Sequence, residues 1–156
     1  MPVGSDPVTH MAAPDVVSLP HTWRPFGARV AVIFFGVMLV VICAFAWFGL
    51  DPEVRAKFTL FQRSTIAFIG LLYAAAGYAL ARSRVVASDG SLLVVNGYKR
   101  REYEWAEIIS VHLPPGAPWA TIDLADGTTA SLLAIQGSDG DRARKAVRAL
   151  RALIDR

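Results

Sequence analysis

The residues with chemistry to offer in this chain are few. The one histidine of the C-terminal half, His112, lies two positions from Ser110. On a regular strand both side chains would share a face, the first requirement for a serine activated by an imidazole. The pair has no designated third partner and no strained strand-to-helix turn of the kind that presents a nucleophile. It therefore reads as a strand-surface histidine beside a serine. His10 and His21 stand eleven apart without carboxylate or thiol companions, a poor basis for a metal site. The single cysteine, Cys43, excludes an internal disulfide and a Cys-based zinc site. Asp123 and Asp126 bracket a turn, and Asp139 and Asp141 flank a helix start, where turn and cap duties account for all four. No Gly-rich strand-to-helix loop offers a nucleotide cradle. Lys99-Arg100-Arg101 is the one basic run among the expected strands. Near an anionic membrane surface each such charge contributes about 1 kcal/mol; the same run suits an acidic patch on a partner or a plain solvated turn, and Glu102, Glu104 and Glu107 dilute it. These residues point to binding, with no catalytic set, cofactor or metal.

Composition agrees. The 156 residues are 54% hydrophobic and only 19% charged, and mean hydropathy is +0.40. Soluble domains carry about a quarter charged residues. Sixteen Lys/Arg against thirteen Asp/Glu leave +3, too small an excess to point to nucleic acid.

The apolar residues are concentrated. Val30 to Leu50 holds twenty-one residues without charge or proline, and Ser64 to Ala81 holds eighteen without charge. As helices they would measure roughly 31 and 27 Å, the thickness of a bilayer core. A buried helix of a soluble protein seldom lacks a polar face over such lengths. The first run begins too late and runs too long for a signal peptide. The expectation is a transmembrane helical hairpin over residues 26–82, joined by the loop Asp51 to Arg63, with both chain ends on one side. Arg24, Arg29, Arg82 and Arg84 flank the terminal side against Arg55, Lys57 and Arg63 in the loop, which favours cytoplasmic termini in a multi-pass plasma-membrane protein. Trp23 and Trp47 suit interfacial anchoring.

Neither run contains Asp, Glu, Lys, Arg or His, which argues against a proton or ion pathway. Met38 has no histidine partner there for haem. Gly70, Ala74, Gly77 and Ala81 recur on one face of the second run, a packing face for another helix, either the first run or another subunit. Residues 1–25 carry Pro2, Pro7, Pro14, Pro20 and Pro25. That density precludes a regular helix and predicts a proline-rich tail.

After Arg82 the pattern becomes β-rich. Arg84–Ser88 and Ser91–Asn96 form a hairpin about Asp89-Gly90. Strands are predicted over Arg100–Trp105 and Ile108–Leu113. A second hairpin joins Trp119–Leu124 to Thr128–Ile135 about Asp126-Gly127. A C-terminal helix follows, capped by Ser138 with Asp141 in a capping box. Its apolar face is Ala143, Ala146, Val147, Leu150, Leu153 and Ile154. Strands followed by a covering helix make an α+β domain over residues 83–156. In SRVVASDGSLLVVN, YEWAEIISV with Trp105, Glu107 and Ile108, IDLADGTTASLLA and the terminal helix, the segment resembles the bacterial pleckstrin-homology-like (PH-like) family of small actinobacterial two-span membrane proteins. The resemblance implies a partly open β-barrel capped by the C-terminal helix and used for binding.

The expected function is that of a non-enzymatic accessory subunit of an integral membrane complex, its PH-like domain and tail gripping other subunits. The layout is similar to that of factors of the actinobacterial respiratory supercomplex of cytochrome bcc and cytochrome oxidase. The alternative is a free-standing membrane-tethered adaptor that binds anionic lipid or a cell-envelope protein. With cytoplasmic termini, protease added outside sealed cells leaves residues 83–156 intact; digestion of that domain from outside reverses the orientation.

Overall fold

The computed structural model describes residues 17–156. Pro2, Pro7, Pro14 and His10 lie outside them. The uncharged runs form the bodies of two longer helices, α1 (Phe26–Gly49), with Leu50 its extended C-cap, and α3 (Leu60–Arg82). Both exceed the uncharged stretches because their ends recruit polar groups. At its start α3 has a capping box: Thr59 Oγ1 accepts from Gln62 N–H at 3.3 Å, and Gln62 Oε1 accepts from Thr59 N–H at 3.0 Å. The connecting segment is more ordered than a loop. It contains a short helix, α2 (Pro52–Ala56). Arg63 donates to the Arg55 carbonyl at 3.0 Å and stacks over Trp47, 5.5 Å from the ring centroid.

The two long helices run antiparallel, touching at Arg29 with Ala81, Val32 with Gly77, and Gly36 with Tyr73. The contact is narrow. Gly77 is the one buried residue of α3, and α1 has none. A methyl group at Gly77 would lie 2.7 Å from Val32 Cγ1, whereas nothing lies within 4 Å of one at Gly70. The expected small-residue face therefore divides. Gly77 seats the first helix and Ala81 offers it a carbonyl, while Gly70 and Ala74 stand exposed.

Six strands form within a residue of their expected bounds: β2 (Arg84–Ala87), β3 (Ser91–Asn96), β4 (Lys99–Glu104), β5 (Ile108–His112), β6 (Trp119–Leu124) and β7 (Thr129–Gln136). A seventh, β1 (His21–Trp23), comes from the stretch read as tail. It pairs antiparallel with β2, Trp23 opposite Val85 and His21 opposite Ala87, and so covers what would be an open sheet edge. This packs the half-buried Trp23 against the domain core.

The strands make two antiparallel sheets, β1-β2-β3-β4 and β5-β6-β7. The Asn96 side chain ties them, donating to the Ser131 carbonyl at 2.6 Å and accepting from Leu133 N–H at 3.1 Å. Val85, Leu92, Val111, Ile122, Leu132 and Leu150 are fully buried in one core shared by both sheets and the helix α4 (Asp141–Ile154). The apolar face of α4 is buried as expected, save Ile154, which is half-buried. Its start is not. Gly140, at φ 57°, is the N-cap, and no side chain caps α4, so the Ser138–Asp141 box does not form.

Filling the seat at residue 77 should pry the helices apart. Gly77→Leu is expected to destabilise the full chain in detergent by about 1–3 kcal/mol in a thermal melt, and Gly70→Leu to leave it unchanged. Equal losses would refute this register.

Candidate functional site

The polar groups that matter most join the β-rich domain to the helical pair. Proline at the N-cap of α1, Pro25, has no side-chain acceptor to offer, and the first amides of a helix need one. The domain supplies it from the far end of the sequence. The Asp139 carboxylate accepts from Phe26 N–H at 3.2 Å and from Gly27 N–H at 2.9 Å. Its negative charge also opposes the positive end of the helix dipole. Residue 27 must be small for this, since a Cβ there would lie 2.7 Å from Asp139 Oδ1. The Arg142 guanidinium lies over the Phe26 ring, 4.4 Å from its centroid. Sequence reasoning gave Asp139 a cap duty at the adjacent helix; no local signal marks the remote one.

At the end of α3 a second clasp forms. Gly97, with φ 60°, lets the β3–β4 turn press on the helix, its Cβ position 3.3 Å from that of Ala79. The buried Ser83 hydroxyl donates to the Ala79 carbonyl at 3.2 Å and accepts from Gly97 N–H at 3.0 Å. Tyr98 reaches further along α3, its hydroxyl donating to the Ala75 carbonyl at 2.9 Å. Arg29, on the first turn of α1, closes the set by donating to the Ala81 carbonyl at 2.8 Å.

Lys99, Arg100 and Arg101 follow this turn, and all three are exposed. They are not one patch. They sit on β4 opposite Asn96, Val95 and Val94, so Lys99 and Arg101 share the face of Tyr103 while Arg100 shares that of Glu102. Lys99 directly follows Tyr98, whose hydroxyl reaches α3.

Ser110 and His112 share a face, as expected, and Asp123 on β6 supplies a third member. Ser110 Oγ donates to Asp123 Oδ2 at 2.6 Å, and His112 Nδ1 lies 3.4 Å from the same oxygen. Asp123 is therefore not a turn residue. The carboxylate sits between hydroxyl and imidazole, whereas activation of a serine needs the imidazole between the other two. Asp126 does serve its turn: the Thr128 hydroxyl and N–H donate to it at 2.6 and 2.8 Å, which holds its carboxyl below the usual range. Among the described residues no group of three metal-ligating side chains converges.

Removing the remote cap tests the junction. Asp139→Ala is expected to destabilise the chain by about 1 kcal/mol and to speed hydrogen exchange at Phe26 and Gly27, while Asp141→Ala leaves those amides protected. Unchanged exchange in the first variant would show that α1 starts without this carboxylate.

Residues 82–153 match the family model described as a bacterial PH domain. Proteins of Mycobacterium bovis and of two strains of Mycobacterium tuberculosis, each described as uncharacterized, are 36% identical over 145 residues. The match spans 91% of this chain and 90% of each relative, so the likeness includes the helical pair. No solved structure matches at a significant level. The chain belongs to one family with these mycobacterial proteins, and its residues 82–153 belong to the bacterial PH domain family.

Proposed function

We propose that this chain is a membrane-anchored, non-enzymatic accessory subunit of an integral membrane complex. In this reading α1 and α3 cross the bilayer as a hairpin. The PH-like domain, a partly open barrel plugged by α4, stands on the cytoplasmic surface. The observation that carries the reading is the exposure of the helical pair. Phe45, Phe48, Leu60 and Phe61 are each more than three-quarters exposed, and both helices are long and apolar enough to cross a membrane. Water tolerates isolated apolar side chains but not two whole helices of them. Lipid satisfies this surface, and so do the helices of another subunit, where close packing rather than hydrophobicity drives association. Gly70 and Ala74, unused within the hairpin, offer such a partner a close approach.

The candidate partner is the actinobacterial supercomplex of cytochrome bcc and cytochrome oxidase, by likeness of layout. The second reading, a free-standing adaptor on anionic lipid, is favoured by the Tyr98 clasp, which would hold Lys99 near the headgroups. Native-gel migration of the chain, extracted in mild detergent with a tag, separates the two. Migration in a large assembly with cytochrome absorbance supports the subunit reading. A monomer or dimer without haem overturns it and leaves the adaptor.

A further inference from the structure

An open cleft of about 770 Å³ lies between β1, the start of α1 and α4. Its rim carries Arg24, Arg142 and Lys145, with His21 and Trp23 beside them and Phe26 at its lower end. Asp139 also lines it, but its oxygens are held by the first amides of α1. Among the described residues no carboxylate lies within salt-bridge distance of Arg24, Arg142 or Lys145. Among the described residues, three cations thus line one cavity against a single, engaged acid. The floor is the alanine face of α4, which leaves room for a bulky group.

Below the cleft the surface changes character without a break. Phe26, Val30, Ile33 and Val37 recur at i, i+4, i+7 and i+11 along α1, and each is more than half exposed. That spacing keeps them on one helix face. The stripe is about 16 Å long at 1.5 Å per residue, close to half the thickness of a bilayer core. A cationic cleft at the head of an apolar track one leaflet long matches one kind of molecule in both parts.

We propose that this cleft is a binding site for an anionic phospholipid, its headgroup phosphate held by Arg24, Arg142 and Lys145 and an acyl chain lying along Phe26, Val30, Ile33 and Val37. The site is separate from Lys99-Arg100-Arg101, and it rests on the reading of the helical pair as membrane-spanning. Guanidinium forks suit phosphate oxygens, and the Phe26 ring under Arg142 keeps that fork in place.

The test uses the full chain in detergent micelles, offered equal amounts of palmitoyl-oleoyl phosphatidylglycerol and phosphatidylcholine, with retained lipid read by native mass spectrometry. The wild type should retain the anionic lipid preferentially. Lys145→Gln, which breaks no hydrogen bond of the described fold, should cut that preference about fivefold, and adding Arg142→Gln should abolish it. A Lys99→Gln, Arg100→Gln, Arg101→Gln variant should keep it. Preference unchanged in the cleft variants, or lost in the β4 variant instead, overturns the assignment. Displacement of the lipid by an equal concentration of inorganic phosphate would mark a soluble-anion site and overturn it too. Carbonate extraction of membranes separates the two failures. A chain that washes off refutes the hairpin and the lipid site together; one that stays but shows no preference refutes the site alone.

Discussion

The first turn of α1 begins at a proline that offers no acceptor, so its amides depend on a carboxylate from the other end of the chain. This constraint organises the molecule. Asp139 can reach Phe26 and Gly27 only if α4 and its preceding turn stand directly over the helix start. Strand β1 feeds α1 from the same domain, and α3 hands the chain back to it through Ser83 and Gly97. The domain is therefore fastened at both helix ends near it. Within the domain, α4 is fastened in turn, with Arg151 donating to the Val111 carbonyl on β5 at 2.9 Å.

In the proposed membrane reading, a junction held at several points gives the domain its use. A domain on a flexible tether samples many orientations, and any surface it presents is diluted accordingly. Here the β3–β4 turn is held beside α3 by Tyr98, and the cleft beside β1 is held at the head of α1. Each surface would meet the headgroup region in a fixed pose. The opposite end of the pair is ordered more lightly, by Trp47 packing with Phe58 and Arg63.

Much of this was legible in the sequence because its signals are local. Uncharged runs marked both long helices, Asp-Gly turns between alternating residues marked the hairpins, and apolar spacing marked the buried face of α4. What was not legible depends on distant partners. The three residues of β1 are too few to show a period, and their partner strand lies beyond the whole hairpin. Asp139 reads as an ordinary cap beside α4 because nothing nearby names α1 as its target. Asp123 reads as a turn residue until β5 lies alongside and brings Ser110 and His112 to it. The small residues of α3 lie on one face, but which of them meet α1 depends on how far the helix rotates, and the rotation is set by Val32 and Gly77.

In the proposed function the helical pair lies in lipid with the domain fastened at its head. The chain carries its own probe. Cys43 is its one cysteine, and it is exposed on α1. A nitroxide attached there in lipid nanodiscs should collide with dissolved oxygen, which concentrates in the bilayer core, and be shielded from a water-soluble nickel chelate. Free access of the nickel chelate to Cys43 would place α1 in water and contradict the account.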